Sequence, residues 1–164
     1  MRKYSKEVER DMEKIVSNLW FDEQAEEAVG FYVSVFKEAV VKNVSRYGET
    51  GRGEKGKVMT ISYSLNGHDF MAINGGPHFS FTPAVSFSIS CETQAEVDHY
   101  WDQLSEGGEP GQCGWLTDKY GVSWQVVPKI LGQLMQDQNP EKAQRVTTAM
   151  LGMKKLDIAQ LKQA

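Results

Sequence analysis

The sequence predicts an α+β fold made of two strand–helix–strand modules followed by C-terminal helices. Strand-like alternation of apolar residues gives way to helical periodicity over residues 14–36, and the same change recurs over residues 84–106. The triplet Gln24-Ala25-Glu26 also returns as Gln94-Ala95-Glu96 at the matching place. Near the end, Asn139-Pro140 is a typical helix start. Repetition of one supersecondary pattern indicates paired modules rather than a solenoid.

Charge, glycine and proline mark the boundaries between these modules. Residues 1–13 alternate charges with few apolar side chains, which is typical of a frayed helix or a disordered leader. The turn that begins at Asn74 contains two glycines and a proline and stops the first run of strands. We therefore expect a leader over 1–13, a first module over 14–76, a connector over 77–83, a second module over 84–128 and C-terminal helices over 129–164.

The first module is predicted to contain one helix and four strands. Asp22 and Glu23 precede the helix, where its positive N-terminus favours acidic side chains. Asn66-Gly67 predicts a two-residue hairpin between strands. We expect strands over 14–21, 39–47, 57–65 and 68–73, a flexible loop over 48–56, and a buried helical stripe of Ala25, Ala28, Val29, Tyr32, Val35 and Phe36.

The second module repeats this order over a shorter length. Tyr120-Gly121 predicts a hairpin turn between its last two strands. In the tail, Asn139 and Asp157 are suitable N-caps for two helices. We expect strands over 84–91, 113–117 and 122–128, a helix over 93–106 with Val97, Tyr100, Trp101 and Leu104 on its buried face, and a C-terminal apolar stripe of Ala143, Val146, Met150 and Met153.

Alternation along the strands predicts one apolar and one polar face. The polar face carries Ser, Thr, Asn and Gln but no charge. Solvent exposure alone would explain such a face. However, Lys and Glu usually occupy a wet strand face, so small hydroxyls and amides favour a cup for a polar ligand or a subunit interface. We expect Leu19, Phe21, Met59, Ile61, Tyr63, Leu65, Val85, Phe87, Ile89, Cys91, Trp124 and Val126 on the apolar face, and Asn18, Trp20, Ser86, Ser88 and Gln125 on the polar face.

Composition excludes several classes of function. The 164 residues are 40% hydrophobic and 24% charged, with a formal net charge of -4, and contain no long basic run, which does not suit nucleic-acid binding. Because no apolar stretch approaches the length of a membrane span, we expect no membrane association. The charged N-terminal residues lack the apolar core of a signal peptide. Cys91 and Cys113 form no disulfide framework, so a cytoplasmic location is expected.

Three segments together resemble those of PhnB-like proteins. They are Trp20-Phe21-Asp22 with the helix that follows, Asn74-Gly75-Gly76-Pro77, and the hairpin segment from Asp118 to Gln125. PhnB-like proteins belong to the vicinal-oxygen-chelate group, with glyoxalase I, bleomycin-resistance proteins and extradiol dioxygenases, and this branch often carries the label 3-demethylubiquinone-9 3-methyltransferase. The resemblance covers about residues 14–161. It implies paired βαβββ modules, each forming a curved sheet, and a homodimer, frequently with exchanged elements.

Metal-using members of that group place ligands on the first and last strands of each module. The resemblance puts these positions near Ile15/Val16, Met71/Ala72, Ala84/Val85 and Gln125, and a slip of one residue brings in no His, Cys, Asp or Glu. Metal ions in such sites need carboxylates, imidazoles or thiolates. We therefore expect no metal ligand and no cofactor, with Gln125 the only remnant of the ligand set.

Two other motifs do not fit their usual functions. Gly51–Val58 approximates a phosphate-binding loop, but Val58 replaces the hydroxyl residue and a strand follows where a helix is needed. The first strand runs into Asp22-Glu23-Gln24 without glycine, so no Rossmann-type S-adenosylmethionine site is expected.

These observations favour a small-molecule-binding protein. We expect the ligand to bind in the cup, and we assign no catalytic residue, because a lone Gln cannot act as a general base. The alternatives are an enzyme (a methyltransferase, as the label says, or a metal-dependent lyase, isomerase or dioxygenase) and a polar face buried between subunits.

Trp20 could equally anchor a dimer interface, Trp115 could lie on either face, and His78 is the histidine best placed to border a cup. The predicted ligand-binding residues are Asn18, Trp20, Ser86, Ser88, Trp115 and Gln125.

Overall fold

The computed structural model describes residues 15–50 and 53–164. They form two compact units, the first ending at His78 and the second beginning at Phe79. The predicted leader over 1–13 lies outside the described residues.

The first unit is one mixed sheet with a helix. Its elements are β1 (Ser17–Phe21), α1 (Ala25–Val35), β2 (Ala39–Arg46), β3 (Val58–Leu65) and β4 (His68–Asn74). The strand order is β1-β4-β3-β2. Strand β1 is parallel to β4, whereas the β4–β3 and β3–β2 pairs are antiparallel. This sheet therefore has β1 and β2 at its edges.

Local sequence signals account for most of the first unit. All six residues of the predicted helical stripe are buried. Asn66 and Gly67 have φ angles of 47° and 85°, as the tight hairpin between β3 and β4 requires. At the start of α1, the backbone N–H of Ala25 donates to Oδ1 of Asn74 at 2.8 Å. A side chain distant in sequence thus satisfies a helix N-terminal N–H group that Gln24, the residue before the helix, leaves uncapped.

The second unit repeats this arrangement with shorter strands. It contains β5 (Phe87–Cys91), α2 (Gln94–Ser105), β6 (Glu109–Pro110), β7 (Trp115–Thr117) and β8 (Ser123–Pro128). The strand order is β5-β8-β7-β6, with β5 parallel to β8. Because the two sheets share one order and one parallel pair each, the predicted α+β fold of paired βαβββ modules is confirmed.

Three helices complete the second unit: α3 (Ile130–Met135), α4 (Pro140–Leu151) and α5 (Ile158–Gln163). The predicted caps are present, since Oδ1 of Asn139 accepts from the N–H of Glu141 and Oδ1 of Asp157 accepts from that of Gln160. The helices enclose their own core cluster of Leu131, Val146, Leu156 and Leu161. In the predicted stripe only Val146 is fully buried, and Met153 lies beyond the end of α4.

Several expectations about the strands were wrong. Strand β5 starts at Phe87 rather than at residue 84, and Val85 is 69% exposed instead of lying on the apolar face. Met59 is also exposed, because the β2–β3 register shifts beside it. The two-residue strand β6 was not predicted, since a strand of two residues that includes Pro110 leaves no alternation to detect.

The polar face of the first sheet is not free of charge, contrary to the prediction. Asp69 is opposite Ser64 in the β3–β4 pair and therefore shares its face. It is only 7% exposed and forms an ion pair with Lys42. Lys42 is the extra residue at a register shift in β2, so simple alternation does not place it.

Candidate functional site

Two predicted site residues lie on strand β1 of the first unit. Asn18 is exposed, and its Nδ2 donates to the carbonyl of Val16 at 3.0 Å. Trp20 is half-buried, and its Nε1 donates to the carbonyl of Gly76 at 2.9 Å. A β-carbon on Gly75 would come within 2.0 Å of the Trp20 ring. The indole is therefore held against the turn that follows β4.

Trp20 lines a cleft of about 1160 Å³ within the first unit. The cleft lies at the end of the sheet where β1 and β4 finish, since Trp20, Ile73 and Asn74 line it. Its lining includes His78, the histidine expected to border a cup. The remaining lining residues are Asp22, Glu23, Glu26, Arg46, Tyr47, Gly53, Glu54, Lys55, Gly56, Lys57, Val58, Met59, Ile73, Asn74, Gly75, Gly76 and Pro77.

The polar groups beside Trp20 are used within the protein. The hydroxyl of Tyr47 donates to the carbonyl of Asn74 at 2.6 Å, and Nδ2 of Asn74 donates to the carbonyl of Val58 at 3.0 Å. With Trp20 bonded to Gly76, the two aromatic side chains meet the same short turn segment. We call Trp20, Tyr47, Met59 and Ile73 the aromatic floor of the cleft. This floor offers aromatic and apolar surface rather than unsatisfied hydrogen-bonding groups.

Charged side chains surround the floor. Arg46 Nη2 lies 3.7 Å from Glu26 Oε1, Lys55 Nζ lies 2.6 Å from Glu49 Oε1, and Lys57 Nζ lies 3.0 Å from Glu54 Oε2. The hydrogen bond to Glu54, with the charge of Glu23, raises the pKa of the Lys57 amine. We call Asp22, Glu23, Glu26, Arg46, Glu54, Lys55 and Lys57 the charged rim.

The other four predicted site residues are together in the second unit. Gln125 of β8 is paired with Ser88 of β5 on one side and with Trp115 of β7 on the other. Directly paired residues point to the same face of a sheet, so these three side chains form one row. Nε2 of Gln125 donates to Oγ of Ser86 at 2.9 Å. Alternation placed Ser88 and Gln125 on one face, as observed, but did not decide the face of Trp115.

Some residues of the cleft were not identified from the sequence. Tyr47 was assigned only to a strand, and Asn74 only to a turn that stops one. Both reach the cleft through contacts distant in sequence, since the Tyr47 hydroxyl bonds a residue 27 positions on. The one local signal was the Asn-Gly-Gly-Pro turn, whose glycines allow the indole to approach the backbone closely.

The positions where the resemblance places metal ligands contain no carboxylate, imidazole or thiolate. Of the expected ligand positions, Ala72 is fully buried and Gln125 is bonded to Ser86. Within residues 15–50 and 53–164, no three His, Cys, Asp or Glu side chains are close enough together to hold a metal ion.

Comparison with known proteins identifies the family. The model of the 3-demethylubiquinone-9 3-methyltransferase family matches residues 13–127, more than half of the chain. The chain belongs to this family. A Bacillus cereus PhnB protein has 40% sequence identity and a TM-score of 0.64, over 71% of this chain and 99% of that one. The resemblance to PhnB-like proteins is therefore confirmed.

Other solved structures of this fold are more distant. A Pseudomonas aeruginosa protein has 22% identity and a TM-score of 0.60, over 70% of this chain and 96% of that one. An Arabidopsis thaliana gene product has 21% identity and a TM-score of 0.50, over 70% and 97% of the two chains. At these identities the likeness shows the fold alone. None of the curated proteins compared with the chain is a significant match.

The family match ends at residue 127, so helices α3 to α5 lie outside it. Among the described residues, none of the helices has the length and apolar character needed to cross a bilayer.

Proposed function

We propose that this member of the family is a small-molecule-binding protein without a resident metal. The observation that carries the proposal is the cleft of about 1160 Å³, with Trp20 in its aromatic floor. Small-molecule sites are concave, with mostly apolar or aromatic walls and a few polar groups. The aromatic floor supplies the aromatic and apolar surface of such a site, and the charged rim adds more polar groups than is usual. The row of Ser88, Gln125 and Trp115 is proposed as a second polar surface for ligand contact.

A methyltransferase, as the family description names it, is the less favoured alternative. A Rossmann-type site for S-adenosylmethionine needs a parallel, doubly wound sheet. Each sheet here has one parallel pair of strands among its three pairs. In addition, the hydrogen-bonded neighbour of Gln125 is the hydroxyl of Ser86, and neither an amide nor a hydroxyl is a general base near neutral pH. Ligand binding needs neither the parallel sheet nor a general base, so we favour it over methyl transfer.

The proposal includes a homodimer, as the resemblance to PhnB-like proteins implies, and a cytoplasmic location, as the lack of a disulfide framework favours. A dimer raises a competing role for Trp20, since aromatic residues are enriched at interfaces. Trp20→Ala separates the two roles. If Trp20 contacts ligand, the variant keeps its mass in light scattering and loses ligand binding. Conversion of dimers to monomers would instead make Trp20 an interface residue.

The main test is an NMR titration of the ¹⁵N-labelled chain with small aromatic compounds of neutral, cationic and anionic classes. We expect at least one class to shift the indole N–H of Trp20. The internal control is the indole of Trp101, which is buried on α2. If no compound shifts Trp20, or if Trp101 shifts equally, the cleft is not a specific site. Elemental analysis of the purified protein tests the absence of a resident metal, and a stoichiometric transition metal would contradict it.

A further inference from the structure

The aromatic floor limits what a ligand gains there. The Trp20 N–H, the Tyr47 hydroxyl and the Asn74 amide all have partners within the first unit. Replacing such bonds by bonds to a ligand brings little net free energy. The floor therefore favours a flat or apolar body through dispersion, burial of apolar area and interaction with the aromatic rings. Its π-faces also attract cations.

Ion pairs account for the cations of the charged rim but not for all of its carboxylates. Arg46, Lys55 and Lys57 each have a carboxylate within 4 Å. Among the described residues, no ion pair within that distance uses Asp22 or Glu23. Neither carboxylate at the end of β1 is thus in a close ion pair with a described cation. The charge of Glu23 also acts on Lys57, since it contributes to the raised pKa of that amine.

The N-terminus of α1 works against this negative field, but only in part. A helix N-terminus carries about half a positive charge, spread over its first turn. The first turn of α1 also contains Glu26 and Glu27, which offset that partial charge. The carboxylates of Asp22 and Glu23 are two whole charges beside it. Among the described residues that line the cleft, four carboxylates outnumber three cations.

We propose that the cleft selects organic cations that carry an aromatic body, such as aryl-alkyl amines. This inference rests on the proposed binding function. The aromatic ring would lie on the floor beside Trp20 and Tyr47, and the ammonium would be placed at the rim by Asp22 and Glu23.

Three soluble compounds of nearly equal size test the charge preference. They are 2-phenylethylamine, which is protonated at neutral pH as a lysine amine is, neutral 2-phenylethanol, and anionic phenylacetate. Dissociation constants are measured at pH 7 and low salt from the shift of the Trp20 indole N–H. We expect the amine to bind about fivefold more tightly than the alcohol and phenylacetate to bind most weakly. Raising the salt concentration should reduce the difference.

The double variant Asp22→Asn/Glu23→Gln tests which groups cause the preference. Both carboxylates are exposed and the substitutions keep their shape, so the fold should be retained. We expect the preference of the amine over the alcohol to fall to about twofold or less. Glu38→Gln is the matched control, because Glu38 is exposed on the same unit and is not among the residues that line the cleft. It should leave the preference unchanged.

The outcomes distinguish this inference from the binding function on which it rests. If phenylacetate or the alcohol shifts Trp20 at lower concentration than the amine, cation selection is wrong and the binding function stands. An unchanged amine preference in the double variant also overturns the assignment to Asp22 and Glu23. If none of the three compounds shifts Trp20, both the class and the cleft site are rejected.

Discussion

The indole of Trp20 occupies the space that a β-carbon on residue 75 would need. The ideal position of that carbon is 2.0 Å from Cζ2 of Trp20, well inside van der Waals contact. The same ring is held by the bond from Nε1 to the Gly76 carbonyl. Glycine at position 75 is therefore needed for Trp20 to take its place in the aromatic floor, and not only for the turn.

Gly75→Ala should displace Trp20. The added methyl group cannot be accommodated without moving the ring and weakening its bond to Gly76. We expect the free energy of unfolding to fall by about 2 kcal/mol, the cost typical of a methyl group forced into a packed site. Urea unfolding followed by circular dichroism measures the loss, and the Trp20 indole resonance reports the displacement.

Gly30→Ala is the control for that substitution. Gly30 lies in α1, is exposed, and a β-carbon there would meet nothing within 4 Å. We expect a gain of about 0.5–1 kcal/mol from higher helix propensity. If both variants lose the same stability, the contact with Trp20 does not explain the effect at Gly75.

Asp118 should be essential to the last hairpin. Its carboxylate is 3% exposed and accepts from the backbone N–H groups of Tyr120 and Val122 and from Nε1 of Trp124, at 2.8–3.0 Å. Asp118→Ala leaves three donors without this acceptor, so we expect a loss of about 3 kcal/mol in unfolding free energy. Thermal and urea unfolding check this value.

The isosteric change Asp118→Asn separates the contribution of the two backbone hydrogen bonds from that of the bond to Trp124. An amide oxygen can still accept from the two backbone groups, but the amide nitrogen then faces the indole N–H of Trp124. We expect a smaller loss, about 1–2 kcal/mol, and a shifted Trp124 indole resonance. Equal stability of the Asn variant and the native chain would show that the bond to Trp124 contributes nothing.

Local patterns in the sequence were enough to predict most of the helices and strands and the buried face of α1. The α1 stripe from Ala25 to Phe36 and the turn at Asn66-Gly67 depend on neighbours in sequence, so periodicity and turn chemistry locate them. Alternation also placed Ser88 and Gln125 on one face, whereas the face of Trp115 became evident only from its pairing with Gln125.

Alternation does not predict the structure where the strand register shifts or where residues far apart in sequence come into contact. The exposure of Met59 and the position of Lys42 both follow from irregular pairing between β2 and β3, which no local pattern reveals. The cleft depends on Tyr47 reaching Asn74, a contact set by the loop between β2 and β3. A single sequence contains no measure of such closure.

Cys91 and Cys113 should differ strongly in reactivity. Cys91 is fully buried, and burial, with a smaller contribution from Glu96, raises the pKa of its thiol to about 12. Since the thiolate is the reactive form, we expect iodoacetamide at pH 8 to modify only the partly exposed Cys113 in the folded chain. Mass spectrometry should find one modified thiol in the native protein and two after unfolding. Rapid modification of Cys91 in the folded Cys113→Ser variant would contradict this.

Gln94 should fasten the C-terminal helices to α2. Its Nε2 lies 3.1 Å from both the Leu156 carbonyl and Oδ1 of Asp98, and its Oε1 accepts from the N–H of Ile158 at 2.9 Å. Gln94→Leu removes these bonds, so we expect a loss of about 1–2 kcal/mol in unfolding free energy and faster amide exchange at Ile158. Gln103→Leu, at an exposed position of the same helix, is the control and should change neither quantity.

The substitution Gln94→Leu should also change the pKa of Asp98. The hydrogen bond from Gln94 is the largest cause that lowers the pKa of Asp98 from its usual 3.8, and Lys155 adds to it. Because the pKa is lower in the folded state, the stabilisation is present above pH 3.8 and is lost as the pH falls through the folded-state pKa. In Gln94→Leu the pKa of Asp98, followed by carboxyl ¹³C NMR, should rise toward 3.8, so that the first loss of charge occurs at higher pH. If the titration of Asp98 is the same in both proteins, the hydrogen bond from Gln94 does not set the pKa of that carboxyl.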